Sequence, residues 1–175
     1  DSAESSDPGR QFFMKTRLLT AAVALPIIIA SIILPAYFAQ AIWLFVAIAG
    51  FALAAGLFEF YSLTKKLELK ADAGIGYAGA AALFVGFVFD APARMPDILL
   101  LTIALVIATV LISQTFRFQA DFSKMLTGIG VTLVGVLYIA FLGGFLVATR
   151  VGFENSANLS THLLAYFFLV IFGSD

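Results

Sequence analysis

Six apolar runs, separated by short polar stretches whose Lys and Arg residues fall on alternate loops, leave this chain few folds to choose from. The runs are Leu18 to Phe38, Ala41 to Leu63, Ala73 to Phe89, Ile98 to Ile112, Met125 to Ala148 and Ala157 to Gly173. A bilayer core of ~30 Å takes about 20 apolar residues in a helix, so the first, second and fifth runs span it unaided and the others do so with their flanks. Within lipid every backbone polar group must be satisfied inside its own segment, which makes each run a helix. The expected fold is therefore all-α: a polytopic integral membrane protein with about six transmembrane helices. Orientation follows from the loops. With the N-terminus cytoplasmic, Arg10, Lys15, Arg17, Lys65, Lys66, Lys70, Arg117 and Lys124 lie inside and only Arg94 and Arg150 lie outside, a strong positive-inside bias. Six spans then bring the C-terminus back, so both termini are expected in the cytoplasm.

Apolar residues make up 62% of the chain and charged residues 12%, against roughly one-quarter charged usage in soluble domains. Several runs are apolar on every helical face, a pattern that only lipid or other spanning helices accommodate. A net charge of -1 offers no field to attract nucleic acid, and topology accounts for the basic residues, so no nucleic-acid partner is expected. The absence of cysteine excludes disulfides, thiolate catalysis and Cys-based metal sites.

Residues 1–13 are polar and rich in Ser, Asp, Pro and Gly, a composition that cannot bury enough surface to order itself, and they are expected to form a disordered tail. Residues 14–175 form one membrane domain. Met14, directly before Lys15, Thr16 and Arg17, is a plausible natural start. The same region has features of a secretory signal, with Ala39-Gln40-Ala41 resembling a cleavage site. Leu18 to Leu34 is already 17 residues, however, whereas such apolar regions usually run ~7 to 15. An uncleaved first helix is expected.

Pro26 predicts a kink in that helix, because a mid-helix proline leaves a carbonyl without its partner. Tyr61 suits an interfacial aromatic at the end of the second run. The stretch from Asp90 to Asp97, with Pro92 and Pro96, predicts a short outer turn. Gln114 to Lys124 mixes charges with phenylalanines and reads as an inner-surface helix or a plain connecting loop. Ala140, Gly144 and Ala148 recur every four residues, which predicts a face along which another helix packs closely. No internal repeat is visible, which weakens a transporter reading.

Gly74-Ile75-Gly76-Tyr77-Ala78-Gly79 spells GxGxxG, but it opens a spanning segment rather than following a strand, so helix packing is the expected role. His162 stands alone, with Glu154 the nearest acid in sequence. Asn158-Leu159-Ser160 matches a glycosylation acceptor close to lipid. Two carboxylates are candidates because ionisable groups at membrane depth are costly: Glu59, near the end of the second run, and Asp175, directly after the sixth. For Glu59, solvation beside Lys65 and Lys66 competes with a place in a polar pocket.

Three segments carry a resemblance. Met14 to Thr20 followed by Leu25-Pro26-Ile27, then Gly56-Leu57-Phe58-Glu59-Phe60-Tyr61-Ser62-Leu63, and finally Tyr166 to Asp175 with its closing Gly173-Ser174-Asp175 resemble, in order and spacing, the N-terminal part of the phosphatidate cytidylyltransferase family. The resemblance implies transfer of a cytidylyl group from CTP to phosphatidate, giving CDP-diacylglycerol and pyrophosphate. It also implies a magnesium cofactor, phosphatidate and CTP as substrates, and a place in the bacterial inner (cytoplasmic) membrane, and it leaves a homodimer open. Asp175 is the one residue it carries over, at the edge of the catalytic site. The family's later Ser-Pro-Lys-Lys-Thr, Gly-Asp-Leu and His-Gly-Gly motifs do not occur here, so the chain by itself is expected to be inactive. The competing expectation is a small non-enzymatic membrane protein, such as a transporter subunit or assembly factor.

Overall fold

A computed structural model describes residues 26–35, 37–90, 97–118, 121–152 and 157–173. The described residues are helical, with no strand among them. The helices are α1 (Pro26–Pro35), α2 (Ile42–Lys66), α3 (Ala73–Phe89), α4 (Asp97–Arg117), α5 (Phe122–Val151) and α6 (Ala157–Gly173), with a 3-10 turn at Ala39–Ala41 before α2. Each apolar run thus contains a helix, described in the first run over Pro26–Pro35, and α3 and α6 coincide with the third and sixth runs. Three of them, α2, α4 and α5, are long and apolar enough to cross a membrane. With 17 residues, α3 reaches only about 25 Å at 1.5 Å per residue. The polar tail of residues 1–13, the chain on the N-terminal side of Pro26 that a kink would involve, and most of the turn containing Arg94 lie outside the described residues.

Local chemistry sets the helix ends. Asp72 caps α3 by accepting from the Ile75 N–H at 3.2 Å, and Asp121 caps α5 by accepting from the Lys124 N–H at 3.1 Å. Lys124 also donates from its ammonium to Asp121, and these bonds hold the Asp121 carboxyl below its usual range. At its C-terminus α2 closes in a Schellman turn: Leu69 N–H bonds to Thr64 O at 3.0 Å and Glu68 N–H to Lys65 O at 3.1 Å. Glu68 takes the left-handed position of that turn, with φ 57°, where glycine is usual.

The core forms around α3. Leu83 and Phe87, fully buried on α3, pack against Leu99 and Val106 of α4 and Val136 and Ala148 of α5. Phe87, Phe141 and Phe145 form a ring cluster with centroids 5.0 to 5.7 Å apart. A second cluster joins Leu57 and Tyr61 of α2 to Ala80 and Ala140, and a third joins Ile32 of α1, Phe45 of α2 and Leu164 of α6. Outside these clusters the surface is itself apolar: Phe51, Phe58, Phe116, Tyr138 and Leu169 are all exposed. Such a perimeter suits lipid rather than water.

Four features depart from the sequence expectations. Tyr61 is buried rather than interfacial, because it lies where Gly76 and Gly135 let α3 and α5 approach α2. The Gln114 to Lys124 segment is neither one surface helix nor all loop: α4 runs to Arg117, α5 starts at Phe122, and Phe118 and Asp121 between them are non-helical. Within α5 the backbone widens into a π-helix at Gly135–Phe141. Arg150, counted above as a loop charge, is buried at the far end of α5, donating to Ser160 Oγ at 2.8 Å and Thr161 Oγ1 at 2.9 Å of α6. Both hydroxyls meet the same guanidinium nitrogen, offsetting part of the cost of burying this charge.

Candidate functional site

The polar chemistry gathers where α2 ends, α3 begins, α4 ends and α5 begins. Antiparallel packing brings these four termini together and, with them, Lys65, Lys66, Lys70, Arg117 and Lys124. Asp72 ties the region into one unit. Beyond capping α3, its carboxylate accepts from Ser113 Oγ and from Arg117 Nη1, each at 3.3 Å, and its N–H donates to Thr132 Oγ1 at 2.9 Å. Thr132 in turn donates its hydroxyl to Gly128 O at 2.7 Å, while its carbonyl accepts from Tyr61 OH at 3.3 Å. Replacing Asp72 with Ala is expected to remove the cap and strand Ser113, at a cost of about 1 to 2 kcal/mol and a melting midpoint lower by roughly 3 to 8 °C. Asp72→Asn keeps the cap and loses mainly the solvent-screened pair with Arg117, so its midpoint should stay near wild type. Thermal melts of the two variants in detergent check this; equal losses would place the effect in the ion pair.

Beside this unit lies a cavity of about 480 Å³ lined by Thr64 and Lys65 of α2, Glu68 and Lys70 of the Schellman turn, Ala73 at the start of α3 and Arg117 of α4. Three cations and one carboxylate line it, a surplus of positive charge that favours an anion, while the Thr64 hydroxyl donates to Tyr61 O and the Asp72 carboxylate already caps the start of α3. Next to it Gln114 is completely buried, with neither amide atom partnered among the described residues. Gly128 is what admits it: a Cβ there would lie 2.8 Å from Lys70 O and against the Gln114 amide.

The residues singled out in the sequence are placed as follows. Glu59 is exposed on α2 and does not line this cavity. Asp175 and Glu154 lie outside the described residues. His162 is exposed on α6, its ring nitrogen paired with the Asn158 carbonyl of the preceding turn. In the glycosylation match Asn158 is exposed and Ser160 is buried against Arg150. The GxGxxG glycines sit within α3, where Gly76 abuts Tyr61 and Gly79 abuts Val106, so their backbone meets side chains rather than a phosphate. Among the described residues no group of three His, Asp or Glu side chains comes together to hold a metal ion. Of the carboxylates near the cavity, Asp72 is already engaged by Ser113 and Arg117, so these residues do not by themselves fit the magnesium that the resemblance implies. Lys70 and Arg117 appeared in the sequence only as topology markers, and Thr64 carried no signal at all.

Comparison with protein-family models, with curated proteins and with solved structures found no match to this chain.

Proposed function

We propose that this chain is the N-terminal membrane portion of a phosphatidate cytidylyltransferase, set in a bacterial inner membrane with six spans and both ends in the cytoplasm. The ordered resemblance of three segments, ending in Gly173-Ser174-Asp175, supports the family. One structural observation suits it: a cavity lined by Lys65, Lys70 and Arg117 at the end of the bundle that carries five of the six basic residues among those described. Substrates that are a nucleoside triphosphate and a lipid phosphate call for cationic surroundings at the cytoplasmic membrane face.

In this reading the described helices anchor and position. Asp72 locks the termini of α3, α4 and α5, and the lysines and Arg117 draw phosphate groups to the membrane surface. Asp175 stands at the edge of the catalytic site. The experiment is a CTP-dependent assay with phosphatidate as acceptor. The gene product extended beyond Asp175 should form CDP-diacylglycerol and the 175-residue chain should not. No activity from the extended protein would sink the reading.

A further inference from the structure

A second cavity, of about 340 Å³, is lined by Gly50, Ala54 and Leu57 of α2 and by Tyr77, Ala81 and Phe84 of α3. Its α2 residues continue the face that presents Tyr61, Thr64 and Lys65 to the basic cavity: positions 50, 54, 57, 61 and 64 recur at helical spacing. On α3, Ala73 lines the basic cavity, while Tyr77, Ala81 and Phe84 follow it along the same side of the helix. The two cavities thus follow one another along the seam between α2 and α3, the first also walled by Arg117 of α4 and the second by Ala140 of α5. They adjoin at Tyr61 and Tyr77, whose rings meet edge to face with centroids 5.4 Å apart. From Lys65 to Gly50 the groove runs roughly 22 Å along α2, more than the ~15 Å of half a bilayer core. Its upper part is apolar, with Ala54 and Ala81 exposed. Its lower part holds three cations against Glu68.

We infer that the groove between α2 and α3 binds one anionic phospholipid, its phosphate among Lys65, Lys70 and Arg117 and an acyl chain against Ala54, Leu57 and Ala81. Charge decides the headgroup: Lys65, Lys70 and Arg117 outnumber Glu68 and the Asp72 carboxylate that pairs with Arg117, and a zwitterionic lipid would add a further cation. Continuity decides that the ligand is a lipid rather than a free phosphate, because the apolar cleft begins where the basic cavity ends. Glu68 takes part: its left-handed backbone turns Leu69 and Lys70 back under the end of α2, where both line the cavity. The site shares Lys65, Lys70 and Arg117 with the cavity of the proposed function and rests on that reading for its cytoplasmic placement, but lipid retention is read without CTP, Asp175 or turnover, so the two fail separately.

Native mass spectrometry of the 175-residue chain released from detergent, with phosphatidylglycerol and phosphatidylcholine as probes, tests this. One phosphatidylglycerol should be retained, about tenfold more strongly than phosphatidylcholine. The double variant Lys65→Gln/Lys70→Gln should lower phosphatidylglycerol retention about tenfold or more, since each basic residue near an anionic headgroup contributes roughly a factor of five. The charge-matched control Lys66→Gln/Lys124→Gln, at exposed residues that do not line the cavity, should not. Ala54→Phe/Ala81→Phe, which fills the cleft from two exposed positions, should lower retention of the lipid while leaving binding of glycerol phosphate unchanged. Equal retention of the two lipids, or equal loss in the two lysine pairs, would overturn the site in favour of diffuse surface charge. Undiminished lipid binding after the cleft is filled would overturn the acyl-chain assignment.

Discussion

Gly144→Leu is expected to abolish most of the folded yield, with a destabilisation of about 3 kcal/mol, near the upper end of typical overpacking costs and equivalent to a shift on the order of 100-fold in the folded fraction. A Cβ at Gly144 runs directly into the ring of Phe87, which is completely buried and has no room to withdraw. Phe87 is held in turn by Phe141 and Phe145. Helix association within lipid has no hydrophobic drive and depends on such close approach, so a blocked contact is not easily replaced. Gly130→Leu, on the same helix, is the control: a Cβ there meets nothing within 4 Å. Monodisperse yield in detergent separates the two, and similar yields would remove the packing assignment.

On the proposed reading, Asp175→Asn in the gene product extended past this chain should lower cytidylyl transfer by about 100-fold or more, because it removes a charge at the edge of the site. The substitution keeps shape and removes charge. KM for phosphatidate should change less than kcat, since the lipid phosphate is served by cationic groups. Full activity of the variant would take Asp175 out of the site and leave the family reading resting on the other two segments.

Every helix could be read from the sequence, because each is an apolar run closed by charge, proline or a cap, and these are local signals. The packing face of α5 was legible too, since Ala140, Gly144 and Ala148 are all buried, as their four-residue spacing predicts. What could not be read depends on partners distant in sequence. Tyr61 resembles any interfacial tyrosine until Gly76 and Gly135 bring two helices against it. Arg150 looks like a loop charge until Ser160 and Thr161 arrive from α6. Likewise Gln114 is an ordinary polar residue near a helix end, and only the approach of Gly128 and Lys70 buries it. The π-helix at Gly135–Phe141 has no composition of its own. The basic cavity was half legible: its lysines and Arg117 stood out as topology signals, but their convergence on Thr64 and the start of α3 required the fold.

The account rests on four helix ends and their basic residues facing the cytoplasm, and cysteine accessibility measures that directly. With no native cysteine in the chain, single substitutions can be labelled in intact cells by a membrane-impermeant maleimide. Glu68→Cys and Ser123→Cys, at exposed positions of the basic end, should be labelled only after the membrane is opened, whereas Ala93→Cys and Ser156→Cys should be labelled from outside. Labelling of Glu68→Cys or Ser123→Cys in intact cells would contradict the orientation and, with it, the placement of the basic cavity on the cytoplasmic side.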